Sequence, residues 1–524
     1  MQRDSVIILG VPIDSLTLSQ AMDKIVDLVA ESRRDGIPKL VATVNVDFIV
    51  QTMGKRLSEI RHAELLDILR RADLVTADGM PIVWLSRMLR NPLPERVTGA
   101  DMVPALATRA AREGLSLYFL GGQTNSAERA ANILLKRNPG LKIAGVLSPI
   151  VYTEGEHLEF YEEEDAAIVA DVNAAAPDIL LIAFGNPKQE LWFRRNVTRL
   201  KVPLSIGIGG TFSFIAGDIS RAPLAIQRIG LEWLWRLAVE PIRLWRRYLR
   251  AIMTFGLQLW PAVMDYHRQR RLITCYQPTW RAPKMQVEPT KPEQLLSSEV
   301  DKLSMTLPER LDALGVRNLS STIETIWQSE HALILDFTQV VFIDSMGLGF
   351  IVEMWRTALN LNKVLLMAGM NDDIRRTFAL SRLDDLIGDN SFRDLQLAKQ
   401  YLNSMDLHQA KIAGKELPSS VTYKKDGTAI VTIEGRLDAL SLKNFDITAI
   451  CVAVSGHNCL LDLHALNFVD SSGLVLFVKI QRAVIAHGKS CILCAPTDGV
   501  LKLLQLTRLE QLFTITDDIM ILHQ

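Results

Sequence analysis

The chain has 524 residues, which is too long for a single hydrophobic core and predicts about three or four structural units. Hydrophobic residues make up 48% and charged residues 22%, a composition that excludes global disorder. The formal net charge of −1 argues against a dedicated nucleic-acid-binding protein. Five cysteines in a chain of this length exclude a disulfide scaffold.

Residues 1–227 alternate short apolar strands with amphipathic helical patterns such as Leu18–Glu31 and Ala127–Lys136. This alternation predicts a parallel α/β sheet covered by helices on both faces, with the active site at the carboxyl ends of the strands. The first strand is too short for the apolar core of a signal peptide, so we expect a protein that is not secreted. The predicted strands are Ser5–Leu9, Lys39–Thr43, Leu74–Thr76, Leu115–Leu120, Lys142–Val146, Ile179–Phe184 and Leu204–Ile208.

Polar residues and glycines follow several of these strands. Two Gly-rich turns, Gly121–Gly122 and Gly207–Gly210, are typical of sites where backbone amides meet a phosphate, but they also occur in ordinary tight strand–helix connections. The other short motifs at predicted strand ends are TVN with Thr43 and Asn45, ADG with Asp78, RVTGAD with Arg96, and GNPKQE with Lys188 and Gln189.

These motifs, together with GIGG…AG…RAP and GLEW-x₂-RL-x₂-EP-x-R-x₂-R, resemble the WecG/TagA/CpsF family of bacterial glycosyltransferases over about residues 5–250. The resemblance implies inverting transfer of a sugar from a UDP-sugar to a polyprenyl-diphosphate-linked sugar, without an essential metal or cofactor. It implies that Asp78 is the general base and that Thr43, Asn45, Arg96 and Gln189 line the catalytic pocket. Residues expected to hold the donor or its diphosphate are Gly121, Gly122, Lys188, Gly209, Gly210, Arg236, Arg243 and Arg246.

Simple electrostatics agrees with a role for arginine. A departing UDP develops negative charge, which a metal, a helix dipole or fixed cations must stabilise. Residues 1–227 contain no convincing Asp-x-Asp metal motif. The planar guanidinium of arginine can bind a diphosphate through two hydrogen bonds at once. One departure from the family pattern is Ser213, where the family usually has Asp near the nucleotide. Ser213 motivates an alternative, a catalytically inactive nucleotide-sugar sensor.

Residues 228–274 form a basic block rich in arginine and tryptophan. Between residues 228 and 271, nine Arg stand against three acidic residues, a local charge of 9 − 3 = +6, and four of the nine Trp fall here. This pattern is typical of a helix in a membrane interface, and the compatible alternative is an Arg-rich helix packed on the catalytic core. Residues 275–300 are predicted to be a Pro-rich linker.

The last part of the chain contains an internal repeat. RLDAL at Arg310 recurs at Arg436, an offset of 436 − 310 = 126, and FIDSMGL at Phe342 recurs as FVDSSGL at Phe468 in the same register. Two copies of one small α/β domain are predicted, at residues 301–405 and 406–524. We call them the first repeat and the second repeat.

Each repeat reads strand, Asp-Ser-x-Gly, helix, and resembles the STAS domain of anti-sigma-factor antagonists. The resemblance implies that Ser345 and Ser471 are phosphorylated or otherwise regulatory, although each Ser could merely cap its helix. Cys491 and Cys494 form C-x-x-C, but their counterparts Leu365 and Ala368 are core residues, so we expect no metal or redox role.

The sequence as a whole predicts a Rossmann-like α/β glycosyltransferase domain with a helical basic appendage, followed by two small α/β STAS-like domains. We expect a bacterial enzyme of exopolysaccharide, capsule or O-antigen assembly, peripheral at the cytoplasmic face of the membrane. Its expected partners are a UDP-sugar, a polyprenyl-linked acceptor and a protein partner or kinase at the repeats, with self-association suggested by the resemblance and no nucleic acid.

Overall fold

The structure of the chain is a computed structural model. It covers residues 4–54, 60–123, 125–151, 161–228, 231–239, 245, 249, 260, 263–264, 304–312, 315–317, 319, 332–361, 363–383, 386, 391–402, 419–439, 441–507 and 509–518. The predicted linker at residues 275–300 lies outside the described residues.

The N-terminal domain alternates strands and helices along most of its length. Its strands are β1 (Ser5–Ile8), β2 (Val11–Asp14), β3 (Lys39–Val44), β4 (Leu74–Ala77), β5 (Ser116–Gly121), β6 (Lys142–Leu147), β7 (Ile179–Ala183) and β8 (Leu204–Gly207). Its helices are α1 (Leu18–Asp35), α2 (Val46–Thr52), α3 (Ala63–Arg71), α4 (Met80–Met88), α5 (Gly99–Glu113), α6 (Ser126–Arg137), α7 (Tyr161–Ala175), α8 (Lys188–Asn196), α9 (Thr211–Ile215), α10 (Leu224–Arg228) and α11 (Glu232–Val239).

Six of these strands form one parallel sheet in the order β4-β3-β8-β7-β5-β6. Alternate residues of each strand enter different cores. In β7, Leu180 and Ile182 belong to the core on one face, whereas Ile179 and Leu181 belong to the core on the other. Since both faces are covered, the strands are apolar throughout rather than alternating, which confirms the predicted doubly covered parallel sheet.

The first predicted strand is not part of this sheet. β1 pairs antiparallel with β2 in a separate two-stranded hairpin, so the expectation that it joins the parallel sheet is wrong. Adjacent side chains of β1 point to opposite sides. Val6 and Ile8 enter the N-terminal core, and Ile7 enters the core of the first repeat. The hairpin therefore fills the space between two domains, a placement that its apolar sequence does not reveal.

The two repeats share a common order of strands, to which the second repeat adds β15 among the described residues. The first repeat contains β9 (Ser304–Thr306), β10 (Arg310–Leu311), β11 (Ala332–Asp336), β12 (Phe342–Ile343), α12 (Ser345–Asn360), β13 (Val364–Ala368), α13 (Asp372–Leu380) and β14 (Ser391–Phe392). The second repeat contains β15 (Ser419–Tyr423), β16 (Ala429–Ile433), β17 (Gly435–Leu437), α14 (Ile447–Val454), β18 (Cys459–Asp462), β19 (Leu466–Val469), α15 (Ser471–Ile485), β20 (Cys491–Cys494), α16 (Asp498–Leu506) and β21 (Thr514–Thr516), with 3₁₀ turns at Ser441–Asn444 and Leu509–Leu512.

Each repeat has a main sheet and a separate parallel strand pair. The orders are β14-β13-β11-β9 with β10-β12, and β15-β16-β18-β20-β21 with β17-β19. Only β15 is antiparallel to its neighbour. In both repeats the helix after the Asp-Ser motif is capped by the aspartate, because Asp344 and Asp470 accept hydrogen bonds from backbone amides of the first turn. Ser345 and Ser471 are the first helical residues, so the interpretation of each Ser as the cap is wrong.

The first repeat docks on the hairpin side of the N-terminal domain through a buried arginine. Arg382 is fully buried, and its guanidinium donates to the hydroxyl and carbonyl oxygens of Thr52 and to the carbonyl of Leu9. In return, Arg70 donates to the Arg382 carbonyl. Close packing extends this contact, since a Cβ on Gly349 of α12 would lie 2.4 Å from the Ser5 carbonyl oxygen.

Within the described residues, no helix is both long enough and apolar enough to cross a membrane.

The Arg382 contact gives a stability prediction. We expect Arg382→Ala to lower the free energy of unfolding by about 2–5 kcal/mol, because it leaves buried acceptors of the N-terminal domain without their donor. Arg376→Ala, which removes an exposed arginine from the preceding helix, is the matched control and should cost less than about 1 kcal/mol. Chemical denaturation measures both, and equal losses would contradict the assignment.

Candidate functional site

The carboxyl ends of β3, β4 and β8 meet at one edge of the sheet. Thr43, in β3, is buried and donates its hydroxyl hydrogen to the Gly207 carbonyl of β8 at 2.8 Å. Asn45 follows β3 and caps α2, because its side-chain oxygen accepts from the Asp47 amide at 3.0 Å. These bonds fix the direction in which the chain leaves β3.

Asp78 lies beside Asn45 at this edge. The Asp78 amide donates to the Val44 carbonyl at 2.7 Å, which continues the pairing of β3 with β4 by one residue. Asp78 is half-buried. A Cβ on the next residue, Gly79, would lie 3.9 Å from the Asn45 Cβ, so the two chains pass close together here. Asp78 is therefore partly exposed to solvent, and its backbone is held in place by the bond to Val44.

Arg96 comes to the same edge and is part of a charged cluster. The Val97 amide donates to the Ala77 carbonyl at 3.0 Å, which places Arg96 next to the end of β4. The Arg96 Nη1 lies 2.7 Å from a Glu232 oxygen, and Arg221 lies 2.5 Å from an Asp101 oxygen and 3.6 Å from Glu232. Because Glu232 begins α11, the cluster ties the start of the basic appendage to the strand ends.

Gln189 connects the start of α8 to the turn after β8. Its side-chain oxygen accepts from the Gly209 amide at 3.0 Å, and its side-chain amide donates to Glu190 at 2.7 Å. A Cβ on Gly207 would lie 2.5 Å from the Gln189 side-chain nitrogen, so glycine is required there for the side chain to fit. The amide of Gln189 is therefore held in one orientation.

Glu190 is a residue that sequence reasoning missed as part of this site. Its side chain is fully buried, and its second carboxyl oxygen has no hydrogen-bond partner among the described residues. Burial raises the pKa of Glu190 to about 8. The carboxyl is therefore mostly protonated at pH 7, and its Oε1 accepts a hydrogen bond from the Gln189 side-chain amide. The GNPKQE motif offers a signal, but only burial indicates the protonation state.

The glycine turns differ from one another. Gly121 and Gly122 both have φ near +95°, and a Cβ on Gly122 would lie 2.8 Å from the Ser126 hydroxyl, so these glycines close a tight strand–helix turn. Asn125 precedes α6 but makes no side-chain cap hydrogen bond. By contrast, a Cβ on Gly209 or Gly210 would meet open space, and Lys188 is exposed.

Several predicted site residues lie beyond what the structure describes. Arg243 and Arg246 lie outside the described residues, and Arg236 is placed only as a residue of α11. Ser213 lies in α9, and its carbonyl accepts from the Asp218 amide at 2.9 Å. The expected role of the appendage arginines at a diphosphate stays a prediction.

Ser345 and Ser471 are both buried against the N-terminal domain. Asn91, just after α4, donates to the Ser345 hydroxyl. Ser471 donates its hydroxyl hydrogen to a carboxyl oxygen of Glu64 in α3 at 2.7 Å. A kinase could reach neither hydroxyl in this arrangement. Their expected phosphorylation therefore requires release of the repeats.

Cys491 and Cys494 lie on β20 with free thiols, and Cys491 pairs in register with Cys459 of β18. A hydrogen bond to Cys459 and burial raise the pKa of the Cys491 thiol. The described part of the chain contains no group of three His, Cys, Asp or Glu side chains placed to hold a metal ion.

The protonation state of Glu190 gives a pH prediction. Its pKa is raised from 4.5 to about 8, so the folded state binds the proton more tightly than the unfolded state does. The contribution of this bound proton to the free energy of unfolding is fully present below pH 4.5 and is lost as the pH rises through 8. We expect Glu190→Gln, which stays neutral, to match the wild type near pH 5 and to melt several degrees higher at pH 9. If the melting temperatures of the wild type and the variant decline equally between pH 5 and pH 9, Glu190 is ionised in the folded protein over this whole range.

Comparison with known proteins identifies both parts of the chain. A sequence model described as the glycosyl transferase WecG/TagA/CpsF family matches residues 6–269, and a STAS domain model matches residues 297–398 and 419–520. These matches agree with the N-terminal sheet domain and with the two repeats.

Three similar relatives share the name N-acetylglucosaminyldiphosphoundecaprenol N-acetyl-beta-D-mannosaminyltransferase. The relative from Bacillus spizizenii is 29% identical over 182 residues, which are 35% of this chain and 66% of the relative. The relative from Bacillus subtilis is 27% identical over 41% of this chain and 80% of its own length. The relative from Staphylococcus aureus is 25% identical over 46% and 85%. With its family model covering half of its length and its strand ends arranged as described, this chain belongs to the WecG/TagA/CpsF glycosyltransferase family and carries two STAS domains.

Proposed function

We propose that the protein transfers an N-acetylhexosamine from a UDP-sugar to a polyprenyl-diphosphate-linked sugar, in the synthesis of a bacterial surface polysaccharide. The observation that carries this proposal is the edge of the sheet where Asp78, Asn45 and Thr43 lie at neighbouring strand ends and Gln189 of α8 accepts from the turn after β8. The name of the relatives supports the substrate class, since it describes transfer of an N-acetyl-beta-D-mannosaminyl group to N-acetylglucosaminyldiphosphoundecaprenol.

In the proposed reaction, Asp78 accepts the proton of the acceptor hydroxyl while that oxygen attacks the anomeric carbon of the donor. The bond to UDP breaks as the new bond forms on the opposite face, so the configuration inverts. A half-buried carboxylate that solvent can reach suits this role, because a general base must lie within hydrogen-bond reach of the hydroxyl. Gln189, held by Gly209 and by neutral Glu190, supplies a fixed amide without adding negative charge near the diphosphate.

The departing UDP needs positive charge, and we propose that arginines supply it without a metal. Arg96 lies beside the end of β4, Arg221 lies close to the same Glu232, and Arg236, Arg243 and Arg246 follow in the appendage sequence. One guanidinium group can donate two parallel hydrogen bonds to the oxygens of a diphosphate. Arg96 is paired with Glu232, so binding of a diphosphate to Arg96 would compete with this ion pair.

The general-base role predicts the effect of Asp78→Asn. This variant keeps the shape of the side chain but cannot take a proton, so we expect turnover to fall by about 10²–10⁴-fold. Binding of the UDP-sugar, measured as thermal stabilisation, should be retained. Asp27→Asn, an exposed aspartate of α1, is the control and should leave turnover unchanged.

The same measurements also distinguish an active transferase from a catalytically inactive nucleotide-sugar sensor. If UDP-sugars stabilise the wild type but no acceptor is glycosylated, the protein is a nucleotide-sugar sensor, as Ser213 suggests. Unchanged turnover in Asp78→Asn would refute the base assignment while leaving the transferase proposal intact.

We propose further that the basic appendage holds the protein at the cytoplasmic membrane face. Trp245, Leu249, Trp260 and Met264 are all exposed, and Trp260 is 61% exposed, whereas Val263 is buried in the N-terminal core. Exposed aromatic residues in a segment with a local charge of 9 − 3 = +6 suit an interface with anionic lipid. The buried Val263 fits the alternative packing role as well, so one segment can do both.

Membrane attachment predicts the behaviour of Trp245→Glu/Trp260→Glu. Both positions are exposed, so the fold should survive, while the acidic side chains oppose insertion among anionic headgroups. We expect at least about a tenfold loss of binding to vesicles containing an anionic lipid. Ile150→Glu, at a 79% exposed position of the N-terminal domain, serves as the control, and equal vesicle binding by all three proteins would contradict the proposal.

A further inference from the structure

A buried ion cluster joins the second repeat to the N-terminal domain. Arg194 of α8 lies 2.7 Å from an Asp438 oxygen and 3.4 Å from an Asp470 oxygen, and all three side chains are buried. Arg436 completes the cluster, since it contacts Asp67 of α3 at 2.5 Å and Asp438 at 2.6 Å. Arginines and carboxylates from both domains therefore alternate across the interface.

The charges in this cluster depend on one another. Burial by itself lowers the pKa of Arg194, but the carboxylates of Asp470 and Asp438 outweigh it and the pKa is raised. Burial likewise favours neutral Asp438, yet Arg194 and Arg436 hold the pKa of this carboxyl well below its usual range. Removing one member leaves a buried charge without its partner, which is strongly destabilising. The interface is therefore expected to be either fully formed or released.

The same helix that carries Arg194 also carries Gln189. The nine-residue helix α8 begins at Lys188, and Gln189 is five residues before Arg194, which is about 7.5 Å along a helix axis. Over so short a distance a helix moves as one body. A contact that holds Arg194 consequently also limits the positions open to Gln189 and to the Gly209 amide that Gln189 accepts from.

The first repeat touches a second helix of this kind. α4 begins two residues after Asp78, and Asn91, just beyond its end, donates to Ser345 and lies 3.4 Å from an Asp344 oxygen. In both repeats, the Asp-Ser end of a helix thus meets the far end of an N-terminal-domain helix that starts at the candidate site. This correspondence argues that the contacts are more than incidental packing.

We propose that docking of the second repeat positions Gln189 through α8, with Arg194 as the positioning residue, so that release of this repeat lowers transferase activity. The effect on activity rests on the proposed function, whereas the positioning of Gln189 does not. The interaction surface is the face formed by α3 and α8, and its partner is the Asp438–Asp470 face of the same chain.

The internal repeat supplies a matched pair of variants. Arg310 and Arg436 occupy equivalent positions, and each contacts the aspartate two residues later and stacks on its own phenylalanine, Phe342 or Phe468. Arg436 also reaches Asp67, whereas the contacts described for Arg310 stay within its own repeat. Arg436→Glu should therefore release the second repeat by repulsion from Asp67, and Arg310→Glu removes the same local contacts without touching the interface.

Hydrogen exchange of the full-length chain measures how firmly Gln189 is held, and small-angle scattering detects release of the second repeat. In Arg436→Glu we expect a larger radius of gyration and at least about tenfold faster exchange of the Gly209 amide, which donates to the Gln189 side chain. Arg310→Glu should match the wild type, and Arg436→Lys should retain protection. Arg194→Gln should reproduce the effect, with no further change in the double variant.

Two results would overturn the proposal. One is release of the repeat without faster exchange at Gly209, which would mean that docking does not position Gln189. The other is an unchanged radius in Arg436→Glu, which would mean that the ion cluster does not hold the repeat. If transfer is detectable, turnover should fall in Arg436→Glu and persist in Arg310→Glu. If no UDP-sugar is used, the proposed function fails, and the exchange data still judge the positioning.

Discussion

Two consecutive strands can pair in parallel only if the connection between them carries the chain back from the carboxyl ends of the strands to their amino ends. In the N-terminal domain this constraint places the ends of β3, β4 and β8 side by side, with Asp78, Asn45 and Thr43 at those ends. It also sends α4 and α8 away from that edge. Each of these helices therefore has one end at the candidate site and the other at a distant surface, which the repeats cover.

The two repeats show how one fold is used in two ways. Both retain the arginine, aspartate and serine of the shared pattern, yet Arg436 bonds the N-terminal domain and Arg310 does not enter its described interface. The first repeat instead docks through Arg382 and through Ile7, a residue of the N-terminal hairpin that packs in the core of the first repeat. Sequence similarity between the copies thus reports their common fold, and the residues that each presents to its neighbour decide how it binds.

Burial of acidic side chains is the second recurring theme. Glu190 beside Gln189 and Glu64 beside Ser471 both lie in the interior, and burial raises the pKa of Glu190 to about 8 and that of Glu64 to about 7. For Glu64 the neighbouring Asp470 carboxylate adds to the effect. A carboxyl that is neutral near physiological pH can share hydrogen bonds with an amide or a hydroxyl without a compensating cation. Buried and half-buried arginines instead face buried carboxylates across the boundary between the N-terminal domain and the second repeat.

The sequence by itself determined the parallel sheet of the N-terminal domain, the two repeats and the family, because apolar periodicity, a constant offset of 126 residues (436 − 310) and ordered motifs are local or directly countable. It could not determine the position of β1, since an apolar strand reads the same in a sheet or in a hairpin between domains. Nor could it place Arg194, Arg382 or Ser471 at interfaces. Their partners lie hundreds of residues away in the chain, and only the packing of whole domains brings such groups within hydrogen-bond distance.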